Sequence, residues 1–203
     1  MCSQPRYTLT NPSNFEPTVS KMPGSRAAAL AGRRIDAEGA DTPRFPLSQV
    51  ETVRQRLHGL FVRQHISTIV CSAACGADLV ALEEAGKLGV RRRVVLPFAK
   101  ERFRQTSVVD RPGNWGEIYD HVIADVEARG DLVVLPSLAS DEDDAYQAAN
   151  EAIIGEAQTI AGSGERMAII VWEGRARSNS DATEVFRIRA EEAGFSLAVI
   201  LTL

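Results

Sequence analysis

Short apolar segments that alternate with amphipathic ones constrain the fold of this chain more than any other sequence feature. The apolar segments have the length of strands and are almost wholly hydrophobic, as in MAIIVW at 167–172. Strands of that kind are covered on both faces, as they are in parallel sheets. Strands that alternate with helices along the chain favour right-handed βαβ units. The sequence therefore predicts a three-layer, doubly wound α/β domain with about six mostly parallel strands.

The predicted elements follow one another through most of the chain. Strands are expected at 26–31, 67–73, 93–97, 131–136, 167–172 and 196–203. Helices are expected where apolar residues recur at helical spacing, at 48–65, 77–88, 114–129, 143–161 and 181–193. Ser48 and Glu51 fit a capping box at the first helix. Residues 1–24 have no such periodicity and are interpreted as an irregular N-terminal arm, and residues 25–203 as one domain.

Composition excludes several classes of protein. The net charge of −4 argues against general nucleic-acid binding, which would need a basic balance. No apolar run is long enough to span a bilayer, and the first residues lack the apolar centre of a signal peptide. The three cysteines, Cys2, Cys71 and Cys75, then indicate free thiols in a reducing compartment. We expect a cytoplasmic protein without a membrane partner.

The loop after the first predicted strand is one candidate site, because ligands of doubly wound sheets bind beyond the carboxyl ends of strands. Gly32 allows the backbone to approach a ligand closely. Arg33, Arg34 and Arg44 carry guanidinium groups that can bind phosphate through two hydrogen bonds each. Asp36 is a candidate acceptor for a ribose hydroxyl. The alternative is a surface loop in which Arg34 pairs with Asp36.

The loop after the second predicted strand passes through Gly76 directly into a helix. Free N–H groups at Ala77 and Asp78, with the helix dipole behind them, form an anion site whose mouth Gly76 keeps open. Asp78 contacts the ligand or, in the alternative, caps the helix. An anion is expected between 32–34 and 76–78. Neither GxGxxG nor GxxxxGK[ST] occurs, so a classical NAD site or ATPase is not indicated.

The loop after the fifth predicted strand supplies the candidate catalytic groups. Glu173 and Glu184 are candidate general bases or nucleophiles. Gly174 leaves room for a ligand, and Thr183 places a hydroxyl at the start of the next helix. In the alternative interpretation, Asp181 and Glu184 only cap that helix.

Two other loops carry polar groups of less specific pattern. The long loop after the third predicted strand contributes Ser107 as a ligand-binding candidate, beside Lys100, Arg102 and Arg104. The acidic run at 141–144 resembles a solvated helix start, because consecutive acids without glycine spacing are not the pattern of a calcium loop. Neither a metal nor a cofactor is predicted.

Taken together, these loops resemble the SLOG superfamily of Rossmann-like nucleotide-binding domains, a recurrent bacterial group that includes DNA-processing protein A and the LOG phosphoribohydrolases. The segments that carry the resemblance are GRRID at 32–36, PRFP at 43–46, AACGAD at 73–78, VLPF at 95–98, Phe103, Ser107-Val108 and WEG at 172–174. The resemblance implies that a nucleotide or nucleotide-sugar binds at the loops already named.

LOG enzymes, by this resemblance, would cleave the base from a nucleoside monophosphate with a PGGxGTxxE-type segment. The matching segment here is 179–184, in which Thr183 matches. The glycine pair is absent, and Glu184 follows Thr183 directly. Any base-releasing activity is therefore expected to be slow or absent.

Three functions follow from these observations. The leading hypothesis is a domain that senses or sequesters a small nucleotide-derived molecule. The second is an enzyme acting on N-glycosidic bonds, similar to LOG proteins or nucleoside deoxyribosyltransferases, with Glu184, Glu173 or Glu151 facing the anomeric carbon. The third is a protein-interaction module with a vestigial pocket. A homodimer is compatible with each.

Overall fold

The computed structural model describes residues 26–136, 142–178 and 181–203. The predicted arm at 1–24, and residues 141, 179 and 180 of the motifs discussed above, lie outside the described residues. The strands are β1 Arg26–Gly32, β2 Ile66–Cys71, β3 Arg91–Leu96, β4 Leu132–Val134, β5 Arg166–Trp172 and β6 Ser196–Leu201. The helices are α1 Val50–Arg63, α2 Ala77–Lys87, α3 Lys100–Ser107, α4 Trp115–Ala128, α5 Glu142–Ala161 and α6 Ala182–Glu192.

The six strands of the described residues form one sheet in the order β4-β3-β2-β1-β5-β6, and every pairing is parallel. The chain winds outward from β1 to β4 and then returns to the other side of β1 with β5 and β6. This reversal makes β1 and β5 the switch point of the sheet, where ligands of such folds bind at the carboxyl edge. The predicted Rossmann-like α/β fold is confirmed.

Side chains of each central strand alternate between two hydrophobic cores. From β1, Ala28 and Leu30 enter the core shared with α1, α2 and α4, whereas Ala29 enters the core shared with α5 and α6. In β5, Ile169 and Ile170 divide in the same way. Both faces of the sheet are therefore covered by hydrophobic side chains, which explains why the strands are apolar throughout. Within the described residues, no helix is both long and apolar enough to cross a membrane.

Two local predictions were wrong. The stretch predicted as a long loop after the third strand contains α3. This helix buries only Phe103 and Ser107, so its sequence has no apolar repeat that would have indicated a helix. The capping box at the first helix does not form. Ser48 lies in a 3-10 turn, α1 begins at Val50 with no side-chain cap, and Glu51 accepts a hydrogen bond from its neighbour one turn later.

The loops that follow β1 and β2 are in direct backbone contact. Arg34 forms an antiparallel bridge with Gly76, and the Ala77 N–H donates to the Arg33 carbonyl at 3.1 Å. A Cβ atom on Gly76 would lie 2.7 Å from that carbonyl oxygen and 2.8 Å from the Ile35 nitrogen. The backbone at Gly76 has a φ of 104°. Gly76 therefore permits the close contact between the loops after β1 and β2. This corrects the expectation that it keeps the entrance of a ligand site open.

We expect Gly76→Ala to lower the free energy of unfolding by at least about 2 kcal/mol, because the new Cβ meets fixed backbone at a positive φ. The matched control is Gly89→Ala. Gly89 also has a positive φ, of 70°, but has open space where the Cβ would be, so about 1 kcal/mol is expected there. Urea denaturation of both variants measures the difference. Equal losses would contradict the role assigned to Gly76.

Candidate functional site

The Arg33 guanidinium group, directly after β1, is buried at the switch point of the sheet. Its Nε and Nη2 donate to Glu173 at 2.6 and 3.2 Å. Its Nη1 donates to Asp181 at 2.7 Å and to the Thr183 hydroxyl at 3.2 Å. Nη2 also donates to the Arg175 carbonyl at 3.0 Å. The five N–H groups of Arg33 are thus all used within the protein, so none is left to bind phosphate.

The two acids of this cluster, Glu173 and Asp181, both form ion pairs with Arg33. The side chains of Glu173 and Asp181 are 3% and 0% exposed. Burial by itself would raise their pKa values, but hydrogen bonds from Arg33 outweigh it and hold the pKa of each below its ordinary value. Arg44 adds a second cation, 2.9 Å from Glu173. Asp181 also accepts from the backbone of α6 and caps that helix, as one of the sequence interpretations expected.

The two candidate catalytic glutamates are therefore held by arginines. Glu173 lies in the buried cluster. Glu184 pairs with Arg187 through two hydrogen bonds, at 2.7 and 2.9 Å, and these lower the pKa of Glu184. A carboxylate with a lowered pKa is a weak general base, because a base that works near neutral pH needs a pKa close to it.

A cavity of about 720 Å³ lies beyond the carboxyl ends of β1 and β2, enclosed by the loop after β1 and by α3, α5 and α6. Its volume is within the range of about 300–1,000 Å³ typical of small-molecule sites. Among the described residues, six arginines line it, together with four carboxylates. Those arginines are Arg33, Arg34, Arg44, Arg111, Arg177 and Arg189.

The cavity brings together most of the residues predicted from sequence. Those that line it are Gly32, Arg33, Arg34, Asp36, Arg44, Asp78, Ser107 and Thr183. Within the described part of the chain, the predicted residues that do not line it are Gly76, Ala77, Glu173, Gly174 and Glu184. The loops expected to flank an anion thus share one sheet edge, but the Ala77 N–H is already donated to Arg33.

In the loop after β1, the hydrogen-bond partners of Arg34 and Asp36 differ from those expected by either sequence interpretation. Arg34 forms its ion pair with Asp110, not with Asp36. Asp36 accepts hydrogen bonds from the backbone N–H groups of Arg44 and Phe45, at 2.9 and 3.1 Å. Asp36 therefore shapes its own loop.

From α5, sequence reasoning named Glu151, which lines the cavity, but it missed three other polar residues of this helix. Tyr146, Gln147 and Asn150 of that helix line the cavity. The Tyr146 hydroxyl lies 2.7 Å from the Ser107 Oγ and so connects α5 to α3. Their positions, i, i+1 and i+4, place them on one side of a helix, but the same pattern suits a face turned to water, so the sequence signal was weak.

Asp78 is the carboxyl group of this cavity whose pKa is raised. The residue is 8% exposed, and its Oδ2 accepts a hydrogen bond from the Ala74 N–H at 3.1 Å. Burial raises the pKa of Asp78 to about 7, although Ala74 and the charge of Arg34 act in the opposite direction. Asp78 does not cap α2, which has no side-chain cap.

The described residues contain no cluster of potential metal ligands. Cys71 and Cys75 are buried and free, and burial raises the pKa of both thiols. Raised pKa values leave them as neutral thiols, which are poor nucleophiles.

Comparison with known proteins supports the fold and no more. Neither a protein-family model nor a curated protein matches the chain. Among solved structures, DNA processing protein A from Streptococcus pneumoniae is similar, with a TM-score of 0.50 and 18% sequence identity. The match covers 86% of this chain and 50% of that one, so this chain spans about half the length of that protein. The likeness shows a shared α/β fold.

We expect Arg33→Met to lower the free energy of unfolding by about 3–5 kcal/mol, because it removes the buried cation that Glu173 and Asp181 share and leaves each with one partly exposed arginine. Arg129→Met is the control. Arg129 is 67% exposed and pairs with Asp125 on the surface of α4. Loss of such an exposed ion pair should lower the free energy of unfolding by about 0.5 kcal/mol. Chemical denaturation measures both. A loss no greater for Arg33 than for Arg129 would contradict the structural role of the cluster.

The pKa of Asp78 makes stability depend on pH. The folded protein holds this proton up to about pH 7, whereas the unfolded chain releases it near pH 4. The folded state binds more protons in that window, so the free energy of unfolding falls as the pH rises through it. Relative to Asp78→Asn, we expect the wild type to lose up to about 4 kcal/mol. A difference between the two proteins that stays constant with pH would refute this.

Proposed function

We propose that this domain binds a small nucleotide or nucleotide-derived molecule in the cavity beyond β1 and β2, and that it senses or sequesters that ligand. The observation that carries the proposal is one cavity of about 720 Å³ that combines arginines with an apolar and aromatic lining. Arginine binds phosphate through its planar pair of N–H groups. A nucleobase needs apolar surface and a few polar groups that fix its orientation.

The phosphate is assigned to the end of the cavity formed by α6. Arg177 and Arg189 line this end beside Thr183. Their side chains are 53% and 60% exposed, and among the described residues each has one acidic neighbour, at 3.3 and 3.9 Å. These guanidinium groups therefore retain donors that Arg33 does not have.

The base is assigned to the opposite end, near α3. Phe103, Ser107 and Tyr146 line the cavity there. The Cys75 N–H donates to the Ser107 carbonyl at 3.0 Å, which fixes this end against the loop after β2. Aromatic rings and hydroxyl groups are the partners that a flat heterocycle with polar edges requires.

Binding is favoured over catalysis because of where the carboxylates lie. An enzyme acting on an N-glycosidic bond needs a carboxylate close enough to the reacting atoms to act on them directly. Glu173 and Glu184 are paired with arginines and do not line the cavity. The carboxylates of the described residues that do line it are Asp36, Asp78, Asp143 and Glu151, so a hydrolase would have to use one of these.

The test is calorimetric titration with AMP, GMP, CMP and UMP, with free base followed by chromatography in the same mixtures. We expect binding without rapid base release. Arg189→Glu should weaken binding at least about tenfold, since it replaces a phosphate-binding cation by an anion.

The matched control is Arg129→Glu, at the C-terminal end of α4. Arg129 is 67% exposed and, like Arg189, pairs with an acid of the nearest helical turn. The control should bind like the wild type. Absence of binding to all four nucleotides would reject the proposal in favour of an interaction module. Rapid base release lost in Glu151→Gln or Asp78→Asn would establish the enzyme instead.

A further inference from the structure

Asp78 is a carboxyl group buried in the cavity wall without an ion-pair partner in the described part of the chain. Its side chain makes one hydrogen bond there, from the Ala74 N–H. Asp181 is also buried, yet it has the Arg33 guanidinium group at 2.7 Å. A buried carboxylate without such a partner is costly, so Asp78 is balanced by protonation or by a bound group.

The neighbours of Asp78 do not supply the missing charge. Arg34, from the segment after β1, is the charged group that acts on it, and Arg34 is already paired with Asp110. Among the described residues, a second titratable neighbour is the Cys71 thiol at the end of β2, which burial keeps neutral. In the same wall, the Oγ atom of Ser72 is buried and has no hydrogen-bond partner among the described residues.

We propose that Ser72 and Asp78 bind the hydrogen-bonding edge of the ligand's base, and that Asp78 does so as a neutral carboxylic acid. This inference rests on the proposed function and adds the group that recognises the base. A carboxylic acid presents one donor beside one acceptor. That pattern is complementary to a nucleobase edge on which an acceptor atom lies next to an N–H group.

The neutral form is required by the charge of the ligand. A nucleotide brings a phosphate into the same cavity, and an ionised Asp78 would add a like charge in a poorly solvated site. Burial has already brought the pKa of Asp78 to about 7. A base that accepts a hydrogen bond from the O–H group of Asp78 stabilises the protonated form further, so ligand binding and proton uptake are coupled.

The experiment compares wild type, Asp78→Asn and Ser72→Ala by calorimetric titration with AMP, GMP, CMP and UMP at about pH 6 and about pH 8. The wild-type affinity, divided by that of Asp78→Asn at the same pH, should fall about tenfold across this range. Dividing the two affinities cancels the titration of the ligand's phosphate, which both proteins share. Ser72→Ala should bind more weakly at both pH values and keep the wild-type pH dependence.

A second measurement needs only the wild type. Titrations at about pH 8 in two buffers of different ionisation enthalpy should show proton uptake, since the phosphate is already fully ionised there. Proton release, or an affinity that rises with pH, would show that Asp78 binds as a carboxylate and overturn the inference. An affinity ratio independent of pH would also overturn it. Both results leave nucleotide binding in place, whereas no binding at either pH overturns the proposed function itself.

Discussion

The buried charge cluster around Arg33 determines how the carboxyl edge of the sheet is arranged. A charge removed from water must have partners of opposite sign, and here the partners come from the end of β5 and the start of α6. The cluster therefore fixes one boundary of the cavity. It also decides which arginines remain available to a ligand, because it uses every donor of Arg33 and one group of Arg44.

The general location of the site could be predicted from the sequence, but its pairings could not. Apolar strands placed Gly32, Asp78 and Thr183 at one sheet edge, since parallel strands all end there. The partners of Arg33 are 140 and 148 residues away along the chain, and no local pattern specifies which acid meets which arginine. The glycine at position 76 likewise indicated an unusual backbone conformation. It did not indicate that the loop after β1 packs directly against this position.

The cavity also depends on residues whose sequence signal was weak. Tyr146 and Asn150 lie on α5, which the sequence identified as a helix by its apolar face. Their polar groups then resembled ordinary solvent-facing positions. The contribution of such a helix to a cavity becomes visible only when the layer that covers it is known, because the same polar face suits either water or a cavity wall.

Arg33 links both halves of the doubly wound sheet through different parts of one residue. Its N–H donates to Val171 of β5, its carbonyl accepts from Ala77 of α2, and its side chain holds the start of α6. Local opening of either half would break contacts of the other. Amide hydrogens in β2 and β5 should therefore exchange with solvent as one cooperative unit, although residues 72–165 lie between these strands along the chain.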